Sequence, residues 1–211
     1  MINAYEKKLD LIKEKIINLK QPEILELGVQ NGRSTKMFLE ICNLNDGYLT
    51  SIDIEDCSSV SNDKRWNFIH SSDDNFKLID QKIHQKYFDV FFIDSYHEPN
   101  HVKKVFYHYF KFLKKNSLIF VDDVFWLPYV KGAFRDNDFV ERINRLTFEK
   151  IIEIYNENLD TLTLDINFQD SGLAILKKIG NNLKTEKKIK NRLFSIKNII
   201  KNNIFNFKPN N

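Results

Sequence analysis

Short apolar segments alternate with amphipathic segments along this chain, and that alternation constrains its fold more than any other feature. The apolar runs at 24–28 (ILELG), 88–93 (FDVFFI) and 117–121 (SLIFV) have the length of buried strands. The segments between them carry apolar residues at helical spacing. Strands that alternate with helices of this kind form a mainly parallel sheet covered on both faces. We therefore predict an α/β fold.

The pattern predicts seven strands and five helices. The predicted strands are 24–28, 48–54, 66–70, 88–93, 117–121, 161–168 and 172–177, and the last two form a closing antiparallel pair. The predicted helices are an N-terminal helix within 1–20, followed by 34–44, 76–86, 100–114 and 141–158. Right-handed crossovers place the carboxyl ends of the parallel strands at one edge of the sheet, where such folds bind ligands.

Charge is distributed unevenly, which indicates a single domain at 1–180 followed by a basic tail at 181–211. The tail holds eight Lys or Arg and one acid, a net charge of +7, whereas the whole chain carries +3 and the remainder therefore −4. This distribution argues against a uniformly basic nucleic-acid binder. Apolar residues in the tail recur at helical spacing, so it is predicted to be an amphipathic helix. It would pack on its own domain, contact a second subunit in a homo-oligomer, or lie weakly on an anionic membrane.

The N-terminus and the two cysteines predict a cytoplasmic protein. Residues 1–20 lack the uninterrupted apolar core of a signal peptide, and no apolar run is long enough to span a bilayer. Cys42 and Cys57 form no metal-binding or redox spacing. Although one disulfide is compatible with this pair, two lone thiols in a chain of this size favour a reducing compartment.

The first three strands end in residues suited to a nucleoside ligand. Gly28 and Gly32 permit a tight turn before a helix, although a purely structural turn explains them equally well. Asp53 follows the second strand, where a carboxylate can accept hydrogen bonds from both hydroxyls of a ribose, or can simply lie in a solvated acidic loop. Ser72 and Asp73 follow the third strand and suit either an adenine edge or the N-terminus of the next helix.

Three carboxylates and an imidazole follow strands four and five. Asp94 ends the fourth strand and His97 lies three residues later, and Asp122 and Asp123 end the fifth. Like charges at close range raise one another's pKa unless a cation neutralises them, and Mg²⁺ or Mn²⁺ prefers such oxygen ligands. Successive strand residues point to opposite faces, so both Asp122 and Asp123 reach one ion only if the chain turns there.

The segment His97-Glu98-Pro99-Asn100-His101 matches the H-E-x-x-H pattern of zinc proteases, but Pro99 argues against that function. Zinc binding by this pattern requires both histidines on one face of a continuous helix. Proline lacks an N–H and disfavours helical angles at the residue before it, whereas it is well suited to the first position of a helix. We therefore expect His97 in a loop and His101 in the first turn of a helix.

Together, the segments ILELGVQNGRST, SIDIED, FDVFFIDSYHEP, LIFVDD and GLAILKK resemble the class I S-adenosylmethionine-dependent methyltransferases. The resemblance runs from about Pro22 to Lys178, and it is greater to the metal-dependent sugar O-methyltransferases of the macrocin and mycinamicin type. Its most specific part is Asp-x-x-His followed, 28 residues after Asp94, by the pair Asp122-Asp123. It implies a Rossmann-like, doubly wound sheet of seven strands whose last strand is antiparallel.

The resemblance also implies roles for individual residues. Asp94, Asp122 and Asp123 would ligate Mg²⁺ or Mn²⁺, with Asp94 also beside the cofactor, and His97 would act as general base. Two departures are Gln30, where many members carry a middle glycine, and Ser117, in place of a glycine before strand five. The residues expected to bind S-adenosylmethionine are Glu26, Gly28, Gly32, Ser34, Asp53, Ser72, Asp73 and Asp94.

The resulting prediction is a Mg²⁺-dependent O-methyltransferase that acts on a saccharide or nucleotide sugar. A small-phenol O-methyltransferase would use similar carboxylates, and a non-catalytic cofactor-binding or assembly protein is the alternative from another class. Amino-methyltransferases of nucleic acids carry an Asp/Asn-Pro-Pro-aromatic motif after strand four, where this chain has Asp94-Ser95-Tyr96-His97. The aromatic-rich segment 125–137 would suit an acceptor lid, or would be an ordinary packed loop.

Overall fold

The computed structural model describes residues 4–126 and 138–184. Most of the basic tail and most of the predicted acceptor lid therefore lie outside the described residues. The helices are α1 (Ala4–Ile16), α2 (Arg33–Asn45), α3 (Phe76–Lys82), α4 (Pro99–Tyr109) and α5 (Asp138–Glu157). The strands are β1 (Glu23–Leu27), β2 (Tyr48–Asp53), β3 (Trp66–His70), β4 (Phe88–Ile93), β5 (Leu113–Asp122), β6 (Leu162–Asn167) and β7 (Leu173–Lys178).

The seven strands form one sheet in the order β3-β2-β1-β4-β5-β7-β6. Strands β1 to β5 pair in parallel, whereas β7 runs antiparallel to both β5 and β6. The strand order reverses between β1 and β4, which creates a crevice at the carboxyl edge. The predicted α/β, doubly wound, Rossmann-like sheet with an antiparallel last strand is confirmed.

Alternate residues of the central strands divide the core between the two faces of the sheet. Phe91 and Ile93 of β4 pack in a cluster with residues of α4 and α5. Val90 and Phe92 pack in a second cluster with residues of α1 and α2, where the rings of Phe38 and Phe92 meet edge to face at 5.6 Å. Because β4 is covered on both faces, its sequence is a continuous apolar run rather than an alternating one.

Two predicted helices are longer than the observed ones. The segment predicted to be helical at 76–86 ends at Lys82. Helix α4 ends at Tyr109 instead of continuing to Lys114, because a short 3₁₀ turn at Phe110–Phe112 leads directly into β5. Residues 114–116 in the first half of β5 are exposed, and the register of β5 with β4 shifts between Phe88 and Val90. The apolar pattern therefore predicted only the second half of this strand.

Candidate active site

A cavity of about 1220 Å³ opens at the carboxyl edge of the sheet, over the crevice between β1 and β4. The ends of β1, β2, β4 and β5, the loop after β3 and the first turn of α1 all contribute to its walls. Predicted site residues that line it are Gly28, Ser34, Asp53, Ser72, Asp73, Asp94, His97, Asp122 and Asp123. Glu26 and Gly32 are the two that do not.

Gly28 lies where β1 and β4 come closest. Its φ is +92°, and a Cβ atom there would stand 2.1 Å from the carbonyl oxygen of Asp94. The backbone N–H of Asp94 donates to the carbonyl of Leu27 at 2.9 Å, which ties the two strand ends together. Only glycine satisfies both the angle and the contact, so the structure accounts for this residue without any ligand.

Glu26 lies beneath the cavity and is fully buried. Its carboxylate accepts hydrogen bonds from the hydroxyls of Ser34 at 2.6 Å, Thr35 at 2.8 Å and Ser51 at 2.6 Å. Burial raises the pKa of Glu26 to about 7, although these hydroxyl donors favour its charged form. Glu26 thus joins β1, β2 and α2, and it lies below the position where the cofactor is predicted to bind. Of the three hydroxyl residues that surround it, Ser34 lines the cavity.

Asp53 ends β2 and faces the loop that follows β1. Its Oδ2 accepts from the backbone N–H groups of Val29 at 2.7 Å and Gln30 at 3.1 Å, and its Oδ1 accepts from Glu55 at 2.8 Å. Gln30, which replaces the middle glycine of many class I members, adopts a left-handed φ of +48°. The Asp53 carboxylate is thereby held at the cavity wall in one orientation.

Asp73 is buried at the opposite wall, where it joins the loop after β3 to α4. Its Oδ2 accepts from the Ser95 hydroxyl at 2.6 Å, and its Oδ1 lies 2.8 Å from His101 Nε2. The nearby Asp73 carboxylate raises the pKa of His101 and outweighs the opposing effect of burial. Ser72 donates to Asp74 at 2.6 Å. His101 therefore lines the cavity beside a carboxylate, a position that the sequence did not predict for it.

Strands β4 and β5 are neighbours in the sheet, and the side chains of four residues converge at their ends: Asp94, His97, Asp122 and Asp123. His97 Nε2 lies 3.6 Å from Asp94 Oδ1 and 3.5 Å from Asp123 Oδ2. Asp123 has a φ of +57°, so the chain turns directly after β5 and both aspartates face the cavity. Burial, with Asp122 and Asp123 close by, raises the pKa of Asp94 well above its usual range.

Pro99 begins α4, and the Glu98 carboxylate caps that helix by accepting from the His101 backbone N–H at 2.8 Å. His97 precedes the helix, and its carbonyl accepts from the Thr147 hydroxyl of α5 at 2.9 Å. His97 and His101 consequently occupy a loop and a helical turn, as the proline predicted. The zinc-protease arrangement is absent from this segment.

Helix α1 contributes two side chains that the sequence did not reveal. The Tyr5 hydroxyl donates to Asp94 Oδ2 at 3.3 Å, and the Arg33 guanidinium lies over the Tyr5 ring at 4.3 Å. Lys8 is 2% exposed and forms an ion pair with Asp122. In the sequence both belong to an ordinary amphipathic pattern, and no motif distinguishes them from the other polar residues of α1.

The donor types in this cluster suit a divalent cation, and one cation already contacts it. Carboxylate oxygens are the ligands that Mg²⁺ and Mn²⁺ prefer, and the Lys8 ammonium occupies part of that donor set. As the side chains stand, residues 4–126 and 138–184 contain no group of three His, Cys, Asp or Glu placed to hold a metal ion. The three carboxylates are suitable ligands by type. An ion could bind all three only if Asp122 either contacted the ion and Lys8 together or released Lys8.

The sheet order and the cavity at its carboxyl edge define a Rossmann-like methyltransferase fold. A family model described as a methyltransferase domain matches residues 25–124. This match and the fold confirm the predicted resemblance to the S-adenosylmethionine-dependent methyltransferases. A search of curated protein sequences finds no significant match.

Solved structures with this fold include several methyltransferases. One from Staphylococcus aureus, assigned as a caffeoyl-CoA O-methyltransferase, has a TM-score of 0.62 and 22% identity over 84% of this chain and 85% of that chain. MycE of the mycinamycin biosynthetic pathway, in complex with Mg and S-adenosylhomocysteine (SAH), has a TM-score of 0.60 and 19% identity over 88% of this chain and 52% of its own. A protein from Clostridium thermocellum assigned as an rRNA methylase has a TM-score of 0.61 and 16% identity over 86% and 99%.

At these identities the likeness establishes the fold, and this chain spans about half the length of MycE. Both cysteines are free and buried, so no disulfide links them. No helix among the described residues is long and apolar enough to cross a membrane.

Proposed function

We propose that this protein transfers a methyl group from S-adenosylmethionine to a hydroxyl of a saccharide or nucleotide sugar. The observation that carries the proposal is the placement of the His97 imidazole 3.6 Å from Asp94 and 3.5 Å from Asp123, in the cavity that Asp53 also lines. A nucleoside-binding carboxylate and a candidate base thus share one cavity. An assembly protein has no need of that combination.

The cofactor would lie along the ends of β1, β2 and β3. Asp53 keeps its carboxylate at the wall through three backbone N–H donors, and each oxygen retains acceptor capacity for a ribose hydroxyl. Gly28 lets the cofactor approach the backbone, and Ser34 lines the methionine end. Asp73 and Ser72 border the position expected for adenine. This placement directs the sulfonium methyl toward Asp94 and His97.

The acceptor hydroxyl would lie beside His97, which removes its proton as the new O–CH₃ bond forms and the S–CH₃ bond breaks. A sugar hydroxyl is a poor nucleophile near neutral pH, so a positioned base accelerates the reaction. Asp94 and Asp123 lie 3.6 Å and 3.5 Å from the same imidazole nitrogen, Nε2, and so hold the ring at the carboxylate cluster. The Thr147 hydroxyl fixes the backbone of His97 from α5.

We further propose that Asp94, Asp122 and Asp123 hold Mg²⁺ or Mn²⁺. When bound there, such an ion would supply stabilisation of the negative charge that develops on the acceptor oxygen. The oxygen-only donor set and the raised pKa of Asp94 support this assignment. MycE, with a similar fold, has been crystallised with Mg and SAH.

Tyr96 supports a sugar as the acceptor. Its ring is 67% exposed, lines the cavity beside His97 and contacts His101 edge to face at 5.4 Å. A small phenol is the second candidate, because the S. aureus structure assigned as a caffeoyl-CoA O-methyltransferase matches this chain over most of both lengths. Cytoplasmic location, a homo-oligomer and contact of 181–211 with a membrane surface remain predictions.

Calorimetry with SAH is the first test, and we expect binding in the micromolar range or tighter. Absence of binding would overturn every methyltransferase assignment. Methyl transfer should then be assayed on matched panels of nucleotide sugars and catechols, with and without EDTA. Transfer to catechols alone would select the phenol enzyme, and activity indifferent to EDTA would remove the metal. Cofactor binding with no transfer to any acceptor would favour the non-catalytic alternative.

A further inference from the structure

Lys8 is a buried lysine at the active site whose positive charge comes from the N-terminal helix. Its side chain is 2% exposed, as is that of its ion-pair partner Asp122. Removing an ammonium from water is costly unless it gains charged or hydrogen-bonding partners. The position of Lys8 therefore depends on the groups around it, and those groups belong to the proposed metal site and its border.

Two chain segments supply the partners of Lys8. Besides Asp122 at the end of β5, the ammonium donates to the Ser171 hydroxyl at 2.8 Å and lies 3.6 Å from Asp170 Oδ2. Asp170 and Ser171 belong to the β6–β7 connection. Ser171 is fully buried, and Asp170 lines the same cavity as Asp122. Lys8 thus closes one end of the carboxylate cluster and anchors α1 to it.

The Lys8 charge acts on more than its direct partner. The backbone N–H of Asp123 donates to the same Asp122 oxygen, Oδ1, that pairs with Lys8. Asp94 also lies within the electrostatic influence of Lys8. The Lys8 charge lowers the pKa of Asp94 and partly offsets the increase that burial and the neighbouring carboxylates cause. An ion shared by Asp94, Asp122 and Asp123 would therefore lie close to an ammonium of like charge, and burial of Lys8 and Asp122 limits the screening of their charges by water.

We infer that Lys8 is a built-in competitor of the divalent cation at Asp122. The ammonium and the ion use the same carboxylate and repel each other, so each weakens the binding of the other. Through this competition, ion binding loosens the contact between α1 and the sheet edge, and release of the ion restores it. The coupling is reciprocal because it is a free energy shared by the two cations. This inference rests on the metal site of the proposed function.

Direct Mn²⁺ binding tests the inference without any methyl transfer. Mn²⁺ affinity would be measured by calorimetry and by electron paramagnetic resonance in the wild type, in Lys8→Met and in Lys13→Met. Lys13 is on the same helix, but it pairs with Glu40 at the surface at 2.8 Å, so Lys13→Met is a control for charge removal away from the site. We expect Lys8→Met to bind Mn²⁺ about tenfold or more tightly than the other two. Equal or weaker binding by Lys8→Met, or no binding by any of the three, would overturn the inference.

A measurement on the wild type covers the case in which Lys8→Met does not fold. Hydrogen exchange at 4–16 would be followed with and without saturating Mn²⁺. We expect faster exchange in α1 when the ion is bound, with no comparable change in α5. Unchanged or slower exchange in α1 would contradict the competition even if methyl transfer proves to depend on Mg²⁺. Loss of SAH binding with the competition intact would instead refute the methyltransferase assignment alone.

Discussion

The Tyr5 hydroxyl of α1 donates a 3.3 Å hydrogen bond to Oδ2 of Asp94 at the end of β4, although the two residues are 89 positions apart in sequence. Arg33 of α2 lies over the Tyr5 ring and pairs with Glu6 of α1, so the phenol has little freedom to move away. The first helical turn thus supplies a wall of the cavity and a donor to a carboxylate with a proposed catalytic role.

Tyr5→Phe removes this donor and preserves the ring contact with Arg33. We expect the methyl-transfer rate to fall about two- to tenfold, the range of one net hydrogen bond, with SAH affinity unchanged. Steady-state kinetics and calorimetry measure both quantities. Tyr87→Phe alters an exposed tyrosine outside the cavity and should leave both unchanged. A Tyr5→Phe enzyme with the full rate would show that Asp94 does not depend on this hydroxyl.

His97→Gln tests the proposed base. Loss of a positioned base should lower kcat by about 10²–10⁴-fold while SAH still binds, because the imidazole contacts carboxylates rather than the predicted nucleoside position. His84→Gln is the matched control, since His84 is exposed and lies outside the cavity. A His97→Gln variant within threefold of the wild-type rate would assign the proton transfer to another group.

Asp53→Asn tests the ribose contact. The variant replaces a charged acceptor of three backbone hydrogen bonds, and hydrogen bonds to charged groups contribute about 1.5–3 kcal/mol each. We expect SAH to bind about 10- to 100-fold more weakly. Asp56→Asn in the same loop, outside the cavity, should keep wild-type affinity. Equal affinities for the two variants would remove Asp53 from the cofactor site.

Glu26 should make the stability of the fold depend on pH. Its pKa is about 7 when folded, against an ordinary value of 4.5, so between these values the folded state binds more protons than the unfolded state. The free energy of unfolding must then fall as pH rises from 4.5 to 7 and level off above 7. The contribution of Glu26 to this fall is on the order of 3 kcal/mol.

Urea unfolding of the wild type and of Glu26→Gln at pH 5 and pH 8 measures this effect. Glu26→Gln should lose most of the pH dependence that Glu26 contributes. Its free energy of unfolding, relative to that of the wild type, should therefore be higher at pH 8 than at pH 5. Slopes with pH that coincide for the two proteins would show that Glu26 ionises normally in its buried position.

The strands were predictable because their signals are local. Each central strand is a short apolar run that ends in a glycine or a carboxylate, and the parallel order places all of these ends on one edge. Asp53, Asp94 and Asp122 could be assigned to the cavity on that basis alone. Glu26 is the penultimate residue of β1, and its strand position directs it beneath the cavity, where three hydroxyls surround it.

Tyr5 and Lys8 could not have been found by the same reasoning. Their roles arise from where α1 packs, and helix packing depends on side chains distributed over the whole core. Lys8 alternates with apolar residues as any exposed lysine of an amphipathic helix would. The first residues of β5 were not predicted to be a strand for a related reason. Its exposed residues carry no apolar pattern, and Asn116 has a left-handed φ of +71°.

The anchoring of Lys8 has a consequence for the order in which the chain is made and folded. Lys8 leaves the ribosome before either partner, because its ion-pair partner Asp122 follows 114 positions later and its hydrogen-bond partner Ser171 follows 163 positions later. An ammonium is too costly to bury before those partners exist, so α1 docks only after the β6–β7 connection has been synthesised. Because Asp170 of that connection lines the cavity, a nascent or truncated chain that lacks it has no complete site.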